Sequence, residues 1–314
     1  MSWKKGNQLF EWNQFPGLSG YSHASVPFAL SQGNGEFLVY FGVRDQKGHS
    51  LPFCIKVTIE NDSFSIVGDP IGPLMGLGNQ GTFDDTGVLP TCVVKHNEEF
   101  WMYYIGWTPQ STVPYQLSIG LAISQDGIHF ERYSNGPIMT KSQEEPYFLT
   151  APFVSKDGDD WEMHYVSCTA WHALNGRTEP QYSIKRAKSV DGINWEIENK
   201  ILLEYDNMSE AFGRPSLLRL PDGEKLLFFC YRKLNGYRNE ASSGYRTAYA
   251  VWDESEQSWM KNYNDVMPLG LPGQWDEVMA CYAHVFEYSG KYWMLYNGND
   301  FGKSGFGYAQ WIAE

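Results

Sequence analysis

The stretch Thr82-Phe83-Asp84-Asp85-Thr86-Gly87-Val88-Leu89-Pro90 decides how this chain is read. It runs into apolar Thr91-Cys92-Val93-Val94, a polar turn at His96-Asn97-Glu98-Glu99 and aromatic Phe100-Trp101-Met102-Tyr103-Tyr104. β-Branched and aromatic residues on either side of a tight polar turn compose an antiparallel strand pair. The same order recurs four more times. Pro27-Phe28-Ala29-Leu30 leads to Glu36-Phe37-Leu38-Val39-Tyr40-Phe41, and Pro152-Phe153-Val154 to Asp160-Trp161-Glu162-Met163-His164-Tyr165. Pro215-Ser216-Leu217-Leu218 leads to Lys225-Leu226-Leu227-Phe228-Phe229, and His284-Val285-Phe286 to Lys291-Tyr292-Trp293-Met294-Leu295-Tyr296. The anchors at 27, 90, 152, 215 and 284 are 63, 62, 63 and 69 residues apart. A fixed period of supersecondary units marks a propeller or a solenoid.

Each unit continues past its aromatic strand. In unit two a third strand reads Ser118–Ser124, a turn Gln125-Asp126-Gly127 follows, and Phe130-Glu131 opens a fourth. Unit three repeats this with Ser183–Ser189, Asp191-Gly192 and Trp195-Glu196. Asp-Gly between alternating strands predicts a two-residue hairpin with both turn residues at positive φ. Unit five lacks a fourth strand, while Asn7-Gln8-Leu9-Phe10-Glu11-Trp12 is strand-like and unassigned. We therefore expect an all-β fold: a five-bladed β-propeller of four antiparallel strands per blade, its last blade closed by the N-terminal strand, in one domain spanning 1–314. Ring closure would leave no exposed edge.

The 314 residues carry a formal charge of −13 and a pI near 5.0, with 16% aromatic residues. Phosphate-backbone binding needs a basic footprint, so nucleic acid and anionic membranes are disfavoured as partners. No 18-residue apolar run predicts a membrane span. The N-terminus lacks the apolar core of a signal peptide, which predicts a cytoplasmic protein. Five cysteines, Cys54, Cys92, Cys168, Cys230 and Cys281, form no C-x-x-C and mostly sit in or beside apolar strands. They read as buried free thiols.

In an up-and-down blade, the start of strand one and the end of strand two share a face. Residues before each anchor then ring the axis, and residues after each aromatic strand form the wall. The ring offers His23, Asp84, Asp85, Thr150, Glu210, Arg214, Glu277 and Tyr282. The wall offers Arg44, Trp107, Trp171, His172, Arg232 and Arg238. Carboxylates, guanidiniums, imidazoles and aromatic faces converge on one end.

This arrangement resembles the five-bladed β-propeller glycosidases: arabinanases, β-xylosidases, invertases, levansucrases and mannoside phosphorylases. The resemblance covers nearly the whole chain. It rests on the blade period, the Ser-x-Asp-Gly-x-x-Phe/Trp-Glu turns at 124–131 and 189–196, and the acids before the anchors. It implies a carbohydrate substrate and inner-ring carboxylates, one as nucleophile or base and one as general acid. Carried over, it makes Asp85 or Asp84 the base or nucleophile, Glu210 the acid, and Glu277 a modulator or sugar ligand. His23, Arg44, Trp107, Trp171, His172, Arg214, Arg232 and Tyr282 would bind substrate. The chain departs from the pattern in blade one, Ser22-His23-Ala24-Ser25-Val26-Pro27, and in blade three, Leu149-Thr150-Ala151-Pro152, where acids are expected.

The leading expectation is a glycoside hydrolase. A phosphorylase and a non-catalytic glycan-binding propeller are the alternatives. The rim arginines allow a substrate with an anionic group. No cofactor and no metal are expected, with an axial cation as the weaker option.

Overall fold

A computed structural model describes residues 2–264 and 267–312. Those residues form twenty strands and only short helical turns. Strand β1 (Ser2–Phe10) comes first. The first group is β2 (Ser22–Gly33), β3 (Glu36–Arg44), β4 (Ser50–Glu60) and β5 (Ser63–Ile71). The second is β6 (Gly87–His96), β7 (Glu99–Pro109), β8 (Tyr115–Ser124) and β9 (Glu131–Arg132). The third is β10 (Leu149–Asp157), β11 (Asp160–Leu174), β12 (Arg177–Ser189) and β13 (Glu196–Glu198). The fourth is β14 (Glu210–Arg219), β15 (Lys225–Lys233), β16 (Arg246–Asp253) and β17 (Ser258–Asn262). The last is β18 (Cys281–Tyr288), β19 (Lys291–Asn297) and β20 (Phe306–Ile312).

Within each group the strands pair antiparallel in chain order, and β1 pairs with β20 as a fourth strand. A single parallel bridge, Ser50 to Gly87, links the first two groups. The first strands pack on one another in succession: β2 on β6, β6 on β10, β10 on β14, β14 on β18, and β18 on β2. Side chains tie this ring across groups. The Ala29 amide donates to His284 Nδ1 at 3.0 Å, and the Val285 amide to Ser216 Oγ at 3.0 Å. Aromatic rings fill the space between sheets, as in the stacked pair Trp101–Trp161 and the edge-on pair Phe228–Trp311. Rings at such spacing add specific geometry to a large apolar burial.

The Asp-Gly turns differ from the expected hairpin. Only Gly127 and Gly192 take positive φ, while Asp126 and Asp191 do not. Asp126 Oδ1 instead accepts the amides of Ile128 and His129, and Asp191 Oδ1 those of Ile193 and Asn194. The carboxylate caps a longer loop, a competition that Asp is suited to win. These loops also latch neighbours: Tyr40 donates to the Gly127 carbonyl at 3.0 Å and Tyr103 to that of Gly192 at 2.9 Å.

All five cysteines are free and buried. Among the described residues, no helix is long and apolar enough to cross a membrane.

Candidate active site

Every first strand carries a register shift near its anchor. At four of them a non-glycine residue takes positive φ: Val26 (58°), Ala151 (49°), Arg214 (53°) and Tyr282 (55°). An extra residue in one strand re-aims side chains, and such backbone strain clusters at functional sites. All four residues line one cavity of about 320 Å³ where the first strands meet.

Four regions supply more of its wall. Ser25, Leu89, Thr150 and Gly213 come from the strand starts. Arg44, Trp107 and Arg232 come from the ends of second strands; Tyr115 begins β8, Tyr182 lies within β12 and Tyr245 immediately precedes β16. Phe148, Tyr237 and Arg238 are loop residues, and Phe301 belongs to a short helical turn at Asn299–Gly302. Tyr115 contacts the rings of Trp107 and Trp171, so Trp171 backs the aromatic wall from behind.

Four arginines face this space, and among the described residues no carboxylate lines it. Arg238 is neutralised by a two-pronged bond to Glu179 at 3.0 and 2.9 Å, to which Tyr237 also donates at 2.6 Å. Arg232 is buried and donates to the Tyr182 and Tyr245 hydroxyls and to the Lys233 and Pro180 carbonyls. Its guanidinium lies 3.8 Å from the Tyr237 ring centre, a close cation–π contact. Arg44 and Arg214 have no ion pair among the described residues. Burial pulls the Arg44 guanidinium below its usual range and lowers Arg214 to about 10.

The sequence-predicted residues divide accordingly. The cavity takes Arg44, Trp107, Arg214, Arg232 and Tyr282. His23 is half-buried and bonded to Ser22, and burial with Arg44 and Lys303 nearby lowers it to about 4. His172 bonds Gln181, whose amide holds the carbonyls of Met208 and Glu210. Neither histidine lines the cavity.

The four predicted carboxylates stand outside it. Asp84 is fully buried and accepts from Tyr104 at 3.0 Å, Arg132 Nε at 2.8 Å and Thr82 at 3.1 Å. Asp85 Oδ2 accepts the Gly81 amide, while its Oδ1 is buried without a partner. Glu277 accepts the Gly273 amide at 2.5 Å. Glu210 accepts from the Asp206 amide and Asn207 Nδ2, and is partly exposed. Among the described residues, no group of three or more His, Cys, Asp or Glu is placed to hold a metal.

The aromatic residues Tyr115, Phe148, Tyr182, Tyr245 and Phe301 were not singled out from sequence. The signal available was position: Tyr115 and Tyr182 lie in third strands, across the loop from the predicted wall.

The description "Glycosyl hydrolases family 32 N-terminal domain" matches residues 75–302. A Mycobacterium tuberculosis (strain CDC 1551 / Oshkosh) protein described as uncharacterized is 30% identical across 98% of this chain and 99% of its own length. A β-1,2-mannobiose phosphorylase of Thermoanaerobacter sp. (strain X514) is 22% identical over 44% of this chain and 47% of its own. In fold, the chain is similar to an exo-1,5-α-L-arabinanase from a bovine ruminal metagenomic library. The TM-score is 0.62 at 13% identity, covering 96% of each chain. Such neighbours are β-propeller glycosidases. With most of its length matched, the chain belongs to the glycosyl hydrolases family 32 N-terminal domain family, and it is a carbohydrate-active protein of the glycoside hydrolase class.

Proposed function

We propose that the chain is a single five-bladed β-propeller domain, closed by β1, that acts in the cytoplasm on a saccharide carrying an anionic group. The observation that carries the substrate class is the cavity itself: aromatic walls, four arginines and, among the described residues, no lining carboxylate. Aromatic faces suit the apolar faces of a sugar ring, and guanidiniums suit a carboxylate or phosphate.

The catalytic carboxylates remain part of this proposal. Glu210 opens the same strand as Arg214 and is partly exposed, so we assign it the general-acid role. Asp84, sealed by three donors, we assign to the scaffold. Asp85 and Glu277 hold turns. The test is a panel of aryl glycosides of neutral and acidic sugars, with turnover and binding both measured. Acidic sugars should bind more tightly, and Glu210→Gln should reduce turnover while leaving binding in place. Equal affinity for neutral and acidic sugars would sink the substrate assignment.

Phosphorolysis is the second reading. It is favoured by the cationic cavity and by the likeness to the mannobiose phosphorylase. There, phosphate oxygen would attack the anomeric carbon while the glycosidic oxygen leaves with a proton. Turnover that requires added phosphate separates it from hydrolysis.

A further inference from the structure

Arg214 is a buried charge with no ion pair among the described residues. It stands on β14, whose ring neighbours are β10 and β18, yet its Nη2 reaches the Thr91 carbonyl of β6 at 2.9 Å. The guanidinium therefore crosses the axis. The residue is 2% exposed, and its Nε and Nη1 are buried without a hydrogen-bond partner. The Thr150 hydroxyl, on the neighbouring strand β10 and lining the same cavity, is also buried without a partner. A buried charge without a counter-ion is strongly disfavoured, and the Nε and Nη1 donors of this guanidinium are left open. The other buried lining arginine, Arg232, is held by four neutral acceptors, and Arg238 is neutralised by Glu179.

We infer that the floor of the axial cavity is a single oxyanion subsite, in which Arg214 and Thr150 hold a carboxylate or phosphate group. It rests on the cavity being the ligand site proposed above, and it places the anionic group at the axis rather than at the rim. The open N–H bonds on Nε and Nη1 and the Thr150 hydroxyl are donors that an oxyanion would accept from. Arg44 adds a second unpaired cation to the lining.

The test uses the purified protein with sodium phosphate, sodium glucuronate, sodium chloride at matched ionic strength, and neutral glucose. Binding is read by calorimetry and by the shift in Tm. Phosphate, glucuronate or both should bind and raise Tm above the chloride control, since a ligand of the native state stabilises it by mass action. Which of the two does so identifies the anion. Arg214→Met should weaken that binding by at least about tenfold, the loss of a charged hydrogen bond. Without anion, the variant should melt no lower than the parent, because an unpaired buried charge has been removed. A merely structural arginine would give the opposite: a lower Tm and no link to anions. Thr150→Val, nearly isosteric, should weaken binding severalfold; if Arg214→Met does not fold, this variant decides.

No anion-specific shift, or unchanged affinity in the variants, overturns the inference. Anion binding with no saccharide binding keeps the subsite and removes the carbohydrate reading. Saccharide binding indifferent to charge does the reverse.

Discussion

Replacing Asp84 by Asn separates scaffold from catalysis. The carboxylate is fully buried and accepts from Tyr104, Arg132 and Thr82. Asn keeps the volume but loses the charge-assisted bond to Arg132, worth about 1.5–3 kcal/mol. It also turns an amide donor toward groups that are themselves donors, leaving one buried group unsatisfied at about 1 kcal/mol or more. Arg132 keeps the Gly76 carbonyl at 2.6 Å and is 20% exposed, which limits the loss. The sum is about 2–4 kcal/mol. For 314 residues the unfolding entropy is about 0.7 kcal/mol per degree, so Tm should fall by about 3–6 °C. Tyr104→Phe removes one hydroxyl and leaves the ion pair, so it should cost about 1 kcal/mol. Thermal melts followed by circular dichroism measure both. The reasoning also demands that ligand binding at temperatures well below Tm stay at the parental level. A variant that melts within about 1 °C of the parent yet loses ligand or turnover would refute it, and would return Asp84 to the active site.

Acid should destabilise the protein through His164. It is fully buried, both ring nitrogens lack a partner, and burial lowers it to about 4 despite Glu162 nearby. Above pH 6.5 neither state holds the proton; below it the unfolded state takes a proton the folded state refuses, so about 3 kcal/mol is lost by pH 4. Urea titrations between pH 7 and 4.5 should show this, and His164→Leu should reduce the slope, with the rest left to His23 and His284, which burial also lowers. The thiols should resist labelling in the native protein, because burial raises Cys54, Cys92 and Cys168 to about 12 and Cys230 to about 11. Rapid reaction of native protein with a thiol reagent would contradict that. Asp85→Asn and Glu277→Gln, which hold turns through one amide each, should cost about 0.5–2 kcal/mol in denaturant melts and leave ligand affinity unchanged.

Strand order and the ring of first strands were legible because the hydrophobic period repeats and each unit starts at a similar anchor. Strand alternation also put Arg44, Trp107 and Arg232 at one end, and all three line one cavity. The surroundings of Asp84 were not legible, and Glu145 and Asp276 share its arrangement. Asp84, Glu145 and Asp276 sit before their anchors, where a catalytic acid would stand. Each instead binds a tyrosine 20 residues later, on the adjacent second strand. Each also takes a cation from an outer strand: Arg132 for Asp84, Lys185 for Glu145 and Lys5 for Asp276. A partner as remote as Lys5 comes only with the fold. The axial role of Arg214 was half visible. Its position before Pro215 was plain, but the positive φ and the reach across to Thr91 depend on the bulge and on the closed ring.

The sign of charge changes between the surface and the site, and this has a kinetic consequence. The chain carries −13 overall, yet its cavity presents unpaired guanidiniums. At low ionic strength an anionic ligand therefore approaches against a repulsive long-range field. At physiological salt the Debye length is about 8 Å, so that field is screened while the contacts inside the cavity are much less affected. Salt should then speed association over the low range, the reverse of ordinary electrostatic steering, and change dissociation little. Stopped-flow Trp fluorescence with an acidic sugar measures both rates, with Trp107 on the cavity wall as reporter. An association rate that falls steadily with salt would mean that the ligand is drawn in by an exposed basic surface, and that the buried axis is not where its charge comes to rest.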